Sequence, residues 1–305
     1  MGHLGRVGTA TADTGVSTLT ITLTDDVPAG ATVLVGVVWE AGGGTGVPTI
    51  ASVVDSSGNT YTTTPDVSMG GAANVTVAGV VLRGTIATAL DAGDTITVTI
   101  SGGTRSKWCA QADAFDDLDA DPLDVVATTG NTSSSSATPS TGTTDETGGP
   151  YRLLYAIFGF GQGRTVTIPS GWSGDERLET TGGSGNRALQ AIWRYASEVD
   201  EYEATITLSS SSTFAACMAT YAYTPPEPEG GAVQVAQVRV EVPVPEPGDA
   251  GVVRVTGVAL ETPQAGVGEV RVSQVRMEAP AGEAAPYSGV KIARDGWRNV
   301  AVSVL

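Results

Sequence analysis

The sequence has few of the residues that build catalytic and metal sites. It contains one histidine and two cysteines among 305 residues. The histidine is His3, close to the start of the chain, where we expect a flexible or docking segment. Serine and cysteine nucleophiles need a base inside a pocket, and zinc centres commonly use several His or Cys ligands. The sequence therefore predicts a protein that is not an enzyme and has no cofactor.

Basic residues are also scarce. The chain has 16 Lys and Arg against 33 Asp and Glu, which gives a formal net charge of −17. A surface this acidic repels phosphate, so we expect neither nucleic acid nor an anionic membrane as a partner. No apolar run is long enough to span a bilayer. Residues 1–18 show neither the basic start nor the apolar run of a signal peptide.

Turn-forming residues are abundant, and clear helix signals are missing. The chain contains 40 Gly and 16 Pro. Alternating runs at 19–23 and 96–100 indicate half-buried strands. The continuous apolar run at 33–39 indicates a central strand that is covered on both faces. Because the best helical candidate, around 188–196, fits a strand equally well, we predict an all-β fold.

Parts of the second half resemble the first. Residues 97–101 match 205–209, and a cysteine follows eight residues after each segment, at Cys109 and Cys217. Residues 32–38 also resemble 152–158. This order predicts a duplicated β unit, with chance similarity among Thr- and Val-rich strands as the alternative. We expect both cysteines to be buried free thiols.

The composition divides the chain into segments. The clearest boundary is the Pro- and Gly-rich stretch after residue 224, because proline favours an extended spacer. We expect the Ser- and Thr-rich residues 131–144 to form a surface loop. The predicted segments are an N-terminal arm (1–17), a jelly-roll-like β-sandwich (18–224, with halves of about 18–125 and 126–224), a linker (225–232), a β-repeat segment (233–286) and a C-terminal β-hairpin tail (287–305).

An eleven-residue repeat is the strongest pattern in the sequence. The unit V-x-V-x-x-V-x-Φ-E-x-P, where Φ is apolar, occurs three times, at 233–243, 253–263 and 270–280. The alternation of apolar residues slips by one position at 256–257 and at 273–274, which predicts a β-bulge there. A few isolated strands are marginally stable and leave open edges. We therefore expect the repeats to pair with each other, with the main domain or with other copies of the chain.

The apolar positions of the second and third repeats are the predicted assembly residues. They are Val253, Val255, Val258, Leu260, Val270, Val272, Val275 and Met277.

The densest acidic run, at 116–124, is a candidate calcium site. Asp117, Asp119 and Asp121 alternate along the chain and could supply oxygen ligands. The glycine that an EF-hand loop needs after the third Asp is missing. The alternative is a solvated acidic connection between the two halves.

Two tryptophans are candidates for stacking on sugar rings. Trp108 follows a loop and Trp172 lies in a Pro-Ser-Gly-Trp turn, so both could be exposed. Trp39 and Trp193 lie within apolar strands and are expected in the core. Packing in the core is also the alternative for the first two.

The second half resembles a known family. Residues 166–172 read Val-Thr-Ile-Pro-Ser-Gly-Trp, and an apolar segment follows at 186–195. A Thr-x-Thr segment begins at Ala204, and a small-residue segment ends at Tyr223. This order resembles a domain common in minor tail and other virion proteins of tailed phages, especially those that infect actinobacteria. Residues 53–61 and the repeat from Val270 are similar to other parts of such proteins.

The resemblance implies a non-enzymatic virion structural protein, made in the host cytoplasm and carried on the tail or capsid surface. We expect a surface-exposed minor tail or fibre-type component that forms a trimer, contacts other virion proteins and can contact the host. One alternative is a capsid decoration protein of the head-fibre or cement type. Another is a carbohydrate-binding module for host wall glycan.

Overall fold

The computed structural model describes residues 2–304 except for 41–48, 71–75, 103–106, 117, 130–134, 162, 182–184, 226–253, 262–270, 279–289 and 296–298. The chain divides into two compact units, Met1–Pro226 and Glu227–Leu305. The division falls inside the stretch that the sequence marks as a linker. Every regular secondary-structure element among the described residues is a β-strand, so the all-β prediction is confirmed.

The first sheet of the larger unit is antiparallel and nearly closed. Its strands are β1 (His3–Ala12), β2 (Thr18–Leu23), β3 (Thr32–Glu40), β4 (Ile50–Asp55), β5 (Thr60–Tyr61), β6 (Val67–Met69), β7 (Val77–Thr85), β8 (Thr95–Ile100) and β9 (Trp108–Phe115). The order is β4-β8-β2-β1-β9-β3-β7-β5, with β6 also paired to β7. The end strands β4 and β5 approach each other, so the sheet curls around a core of its own.

The burial of these strands follows the sequence pattern. In β2, Leu19, Ile21 and Leu23 are buried while the intervening threonines are exposed, as alternation predicts. Strand β3 lies between β9 and β7 and is buried on both faces. The predictions of strands at 19–23, 96–100 and 33–39 are confirmed.

A second antiparallel sheet is formed by later strands. It contains β10 (Leu118–Thr129), β11 (Ser135–Ser136), β13 (Arg152–Gly161), β15 (Leu178–Glu179), β16 (Arg187–Ala196) and β19 (Ser212–Tyr223). The order is β10-β19-β13-β16-β15, and β11 pairs with β19. Two short ribbons accompany it, β12 (Ser140–Thr143) with β17 (Glu203–Thr205) and β14 (Val166–Thr167) with β18 (Thr207–Leu208). The ambiguous segment 188–196 is therefore a strand.

The two sheets pack face to face in a β-sandwich arrangement. The shared core contains Leu34 and Val38 of β3 together with Tyr155 and Ile157 of β13. The other face of the second sheet packs against a third core that includes Ile206, beside the short ribbons. Both β3 and β13 are therefore covered on both sides, which explains their continuous apolar sequences.

Both sheets contain the same three-strand order, as a duplication predicts. It is β9-β3-β7 in the first sheet and β19-β13-β16 in the second. Cys109 lies opposite Val38, and Cys217 lies opposite Ile157. Both cysteines are free and buried, as expected. The sequence match had aligned Val38 with Phe158; the structural equivalent is Ile157, because Val38 and Ile157 both point into the shared core.

Three segment boundaries differ from the sequence analysis. The structure places His3–Ala12 as β1, between β2 and β9, and not in a separate arm at 1–17. Strand β10 pairs with β19, so the second sheet begins at Leu118 and not near residue 126. The expected loop at 131–144 contains the short strands β11 and β12. In each case the backbone of the segment is hydrogen-bonded to a neighbouring strand. In a surface loop these backbone groups would instead form hydrogen bonds with water.

The described residues of the smaller unit form two antiparallel strand pairs. β20 (Arg254–Glu261) pairs with β21 (Arg271–Glu278), and β22 (Val290–Asp295) pairs with β23 (Asn299–Val304) within the predicted tail. Between the pairs Val255–Met277 and Val258–Val275, β20 advances three residues while β21 advances two. A compensating shift follows in β21 beside Gln274. Both shifts lie where the sequence predicts bulges. The first repeat, 233–243, lies outside the described residues.

Candidate functional site

A group of polar residues lies in the otherwise apolar packing between the two sheets. At its centre is Asp113 of β9, which is fully buried. The side-chain amide of Gln111 donates to both carboxylate oxygens, at 3.1 and 2.9 Å. The hydroxyl of Tyr155 donates to Oδ2 at 2.5 Å. Gln111 and Asp113 are two residues apart on one strand and therefore share a face.

His3 completes one side of this group. Pairing of β1 with β9 places His3 beside Phe115, and its Nε2 lies 3.4 Å from Oδ1 of Asp113. The imidazole ring lies 3.9 Å from the ring of Trp193 and 5.0 Å from that of Phe115, measured between centroids. The ladder and these ring contacts hold His3 in place, which agrees with the docking segment and not with the flexible one among the two expectations for this terminus.

Asp175, in the segment before β15, approaches from the second sheet. Its Oδ2 is buried and has no hydrogen-bond partner among the described residues. Burial raises the pKa of Asp175, and the charge of Asp113 raises it further, whereas Arg6 and His3 lower it. We call His3, Gln111, Asp113, Tyr155 and Asp175 the Asp113 cluster.

The Asp113 cluster brings metal-ligand atoms together. One ligand atom each from His3, Asp113 and Asp175 lies within 4.8 Å of the other two. Burial, followed by the charge of Asp113, raises the pKa of Tyr155. The phenol therefore stays protonated and donates to the carboxylate.

Sequence reasoning missed this cluster, since its members are far apart in the chain. The position of His3 near the start of the chain, where a flexible or docking segment is expected, argues against a site at this residue. One local signal was present: Gln111 and Asp113 interrupt a strand in which every residue is buried. A carboxylate in such a strand requires partners, because burying an unpaired charge is costly.

The two candidate sugar-stacking tryptophans differ in exposure. Trp108 is fully buried in the core of the first sheet, as the core-packing alternative predicts, and presents no face to a ligand. Trp172 is half-buried, with the guanidinium carbon of Arg194 at 5.4 Å from its ring centroid. Trp39 and Trp193 are buried, as predicted.

An open cleft lies beside the Trp172 turn. Its lining residues are Gly171, Arg194, Tyr195, Ala196, Ser197, Glu198, Asp200 and Tyr202. Arg194 also lies 5.1 Å from the ring centroid of Tyr202. Charged and aromatic groups therefore meet at this cleft.

Two of the three calcium candidates lie on the second sheet. Asp119 and Asp121 are exposed residues of β10, and Asp117 lies outside the described residues. Asp119 accepts a hydrogen bond from Thr224 at 2.8 Å, and Asp121 lies 3.7 Å from a guanidinium nitrogen of Arg83. The acidic run follows β9 of the first sheet and continues into the edge strand β10 of the second, with Asp119 and Asp121 exposed to solvent.

The assembly candidates lie in the smaller unit. Val255, Val258 and Leu260 of β20 lie opposite Met277, Val275 and Val272 of β21, respectively. Val253 and Val270 lie outside the described residues.

Comparisons of the chain with known protein families, with curated proteins and with solved structures gave no match. Among the described residues, no helix is long and apolar enough to cross a membrane.

Proposed function

We propose that this chain is a non-enzymatic structural protein of a tailed-phage virion, a minor tail or fibre-type component that associates with copies of itself. The observation that carries the proposal is the pairing of β20 with β21. Their repeat positions lie opposite one another across two bulges. A two-stranded sheet is marginally stable alone and offers its outer edges for further pairing.

The larger unit supports the same proposal. The Pro-Ser-Gly-Trp segment that carries the resemblance to virion proteins forms a turn, in which the backbone amide of Trp172 donates to the carbonyl of Pro169 at 3.2 Å. Gly171 adopts a φ of +82°, a conformation that favours glycine at this position. The motif that carries the resemblance therefore has a conformational role, because its glycine permits the turn.

Light scattering on the purified full chain tests self-association. We expect a trimer for the full chain and a monomer for a chain that ends at Pro226. Val258→Asp should weaken the trimer, because it places a charge at a repeat position. Val300→Asp, which places the same charge in the tail hairpin, is the matched control. A monomeric full chain would refute the assembly proposal.

Location on the particle separates the tail component from a capsid decoration protein. We expect labelled chain on the tail in electron micrographs of particles, while label on the head would favour decoration. Deleting 232–305 should abolish incorporation if the repeats dock the protein. Normal incorporation of that deletion would show that the larger unit carries the docking surface instead.

A second candidate function is binding of host wall glycan at the cleft beside Trp172. The grouping of Trp172, Arg194 and Tyr202 favours it, because aromatic faces and charged groups together suit sugar rings. A glycan array with the wild-type chain and Trp172→Ala tests it. The Trp172 ring lies against Arg194 of the cleft lining, whereas the control, Tyr151→Ala, changes an exposed aromatic whose ring lies against Tyr223 outside that lining. Equal binding by wild type and Trp172→Ala would reject this site.

A further inference from the structure

We propose that the Asp113 cluster binds one divalent transition-metal ion through Nε2 of His3 and the carboxylates of Asp113 and Asp175. The ligand atoms lie within 4.8 Å of one another, in a region where the surrounding side chains are apolar. The inference does not depend on the proposed virion function.

The donor set suits zinc, and manganese is the next candidate. One imidazole nitrogen and two carboxylate oxygens are ligands that these ions accept. Nε2 of His3 and Oδ1 of Asp113 are 3.4 Å apart, a separation that fits two ligands on one ion when each bond is about 2.0–2.2 Å. Asp175 needs to close in by a distance on the order of 1 Å to join them.

The charges of the cluster favour a cation. Asp113 is fully buried, and Oδ2 of Asp175 is buried without a hydrogen-bond partner among the described residues. The positive charge of Arg6 lowers the pKa of Asp175. The guanidinium of Arg6 donates a hydrogen bond to the backbone carbonyl of Glu176, at 2.7 Å. Two carboxylates that face each other with little exposure to solvent repel one another. A divalent cation bound between them would attract both carboxylates.

The ligands are held in place by their neighbours. Gln111 and Tyr155 fix the Asp113 carboxylate and leave its Oδ1 facing His3. The His3 ring packs against Trp193. Hydrogen bonds and packing around ligand side chains orient them and raise metal affinity.

The ion would join three parts of the larger unit. His3 belongs to β1 and Asp113 to β9, while Asp175 lies in the segment that leads to β15 of the second sheet. A metal at this position would connect the first sheet to the second. Its expected effect is therefore stabilisation of the folded unit.

The single histidine provides a direct measurement. His3 is the only histidine in the chain, so an untagged protein has one set of imidazole resonances in its NMR spectrum. We expect ZnCl2, added to the EDTA-treated full chain, to shift these resonances and to saturate at one ion per chain. The melting temperature should rise by about 5 °C or more when zinc exceeds its dissociation constant by about 100-fold. Zinc binding that leaves the His3 resonances unchanged would overturn the proposal.

Variants identify the ligands. We expect Asp175→Asn and His3→Gln to weaken zinc binding at least about tenfold, as measured by calorimetry. Asp145→Asn removes an exposed carboxylate elsewhere and should bind zinc like the wild type. A folded Asp175→Asn chain with wild-type zinc affinity would also overturn the proposal. If neither ligand variant folds, the His3 resonances of the wild type decide the question.

Discussion

At the residue scale, the buried carboxylates show how the packed sheets accommodate charge. Asp113 receives hydrogen bonds from Gln111 and Tyr155. Asp66, whose side chain is 4% exposed, instead lies 3.3 Å from Nε of Arg83. A buried charge is tolerated when donors or an opposite charge replace water. At Asp113 hydrogen-bond donors replace water, whereas at Asp66 the opposite charge of Arg83 does so.

Asp66 gives a prediction about pH. Burial raises its pKa, and Asp121 raises it further, while Arg83 and Tyr221 lower it, with a net rise. The folded state therefore takes up a proton at higher pH than the unfolded chain does. The stability that this group contributes grows as pH falls through its raised pKa towards the ordinary aspartate value, and it is lost as pH rises through the raised pKa. Each pKa unit of difference corresponds to about 1.4 kcal/mol. We expect Asp66→Asn to reduce this dependence in urea unfolding.

The control for this measurement is Asp145→Asn, which changes an exposed carboxylate and should keep the wild-type slope. An Asp66→Asn chain whose free energy of unfolding changes with pH as in the wild type would contradict the prediction.

Gly159 gives a prediction about packing between the sheets. A Cβ atom at this position would lie 2.6 Å from Val77 and 2.7 Å from Val38. These side chains belong to the shared core and have little room to move. We expect Gly159→Ala to lower the free energy of unfolding by about 1–3 kcal/mol in urea titration.

Gly149→Ala is the matched control. A Cβ atom there meets the guanidinium end of Arg152 at 3.0 Å, and that flexible group can shift. The same loss of stability in both variants would show that crowding between the sheets does not explain the effect, because the entropy of the unfolded chain falls when alanine replaces glycine and this change alone is stabilising.

At the scale of strands, local sequence predicts much of the architecture. The alternation in β2 and the continuous apolar run of β3 were sufficient to identify those strands and their burial. The bulges of β20 and β21 follow from the one-residue slip in the repeat. These features depend on periodicity, which is a property of contiguous residues.

Features that depend on long-range pairing could not be predicted. Strand β1 contains two glycines and a weak alternation, and its position is determined by its partners β2 and β9. The Asp113 cluster exists because β1 pairs with β9 and the second sheet packs against both. No spacing within the sequence reports that His3 lies 3.4 Å from Asp113. The indication of a site in the sequence is the pair of polar residues, Gln111 and Asp113, within the buried strand β9.

Deletion of β1 tests its role in the sheet. In the strand order, β1 separates β4-β8-β2 from β9-β3-β7-β5, and its Val7 is 1% exposed in the core. Removing residues 2–12 would leave two unpaired edges and an opened core. We expect loss of the cooperative thermal transition measured by circular dichroism.

A chain that ends at Pro226 is the control for this deletion, because it keeps the three cores of the larger unit. We expect its transition to remain cooperative. A cooperative melt of the chain without β1 at the wild-type temperature would show that this strand is dispensable.

At the scale of the whole molecule, charge is the property that the fold explains least. The −17 net charge spreads over a protein of 305 residues with two compact units. Like charges at this density repel one another and oppose the compact state, while keeping separate molecules soluble. Self-association through the repeat segment would have to proceed against this repulsion.

The charge predicts a dependence of stability on salt. Ions shorten the range of electrostatic repulsion to about 10 Å at 0.1 M. We expect the melting temperature at pH 7.5 to rise by about 2–5 °C between about 10 and about 200 mM NaCl. Near the sequence pI of about 4.3, repulsion is small and the same salt step should have little effect. Scanning fluorimetry at low protein concentration measures both series. A melting temperature independent of salt at pH 7.5 would show that ion pairs such as Arg152–Asp124, at 2.7 Å, balance the repulsion between the excess acidic groups.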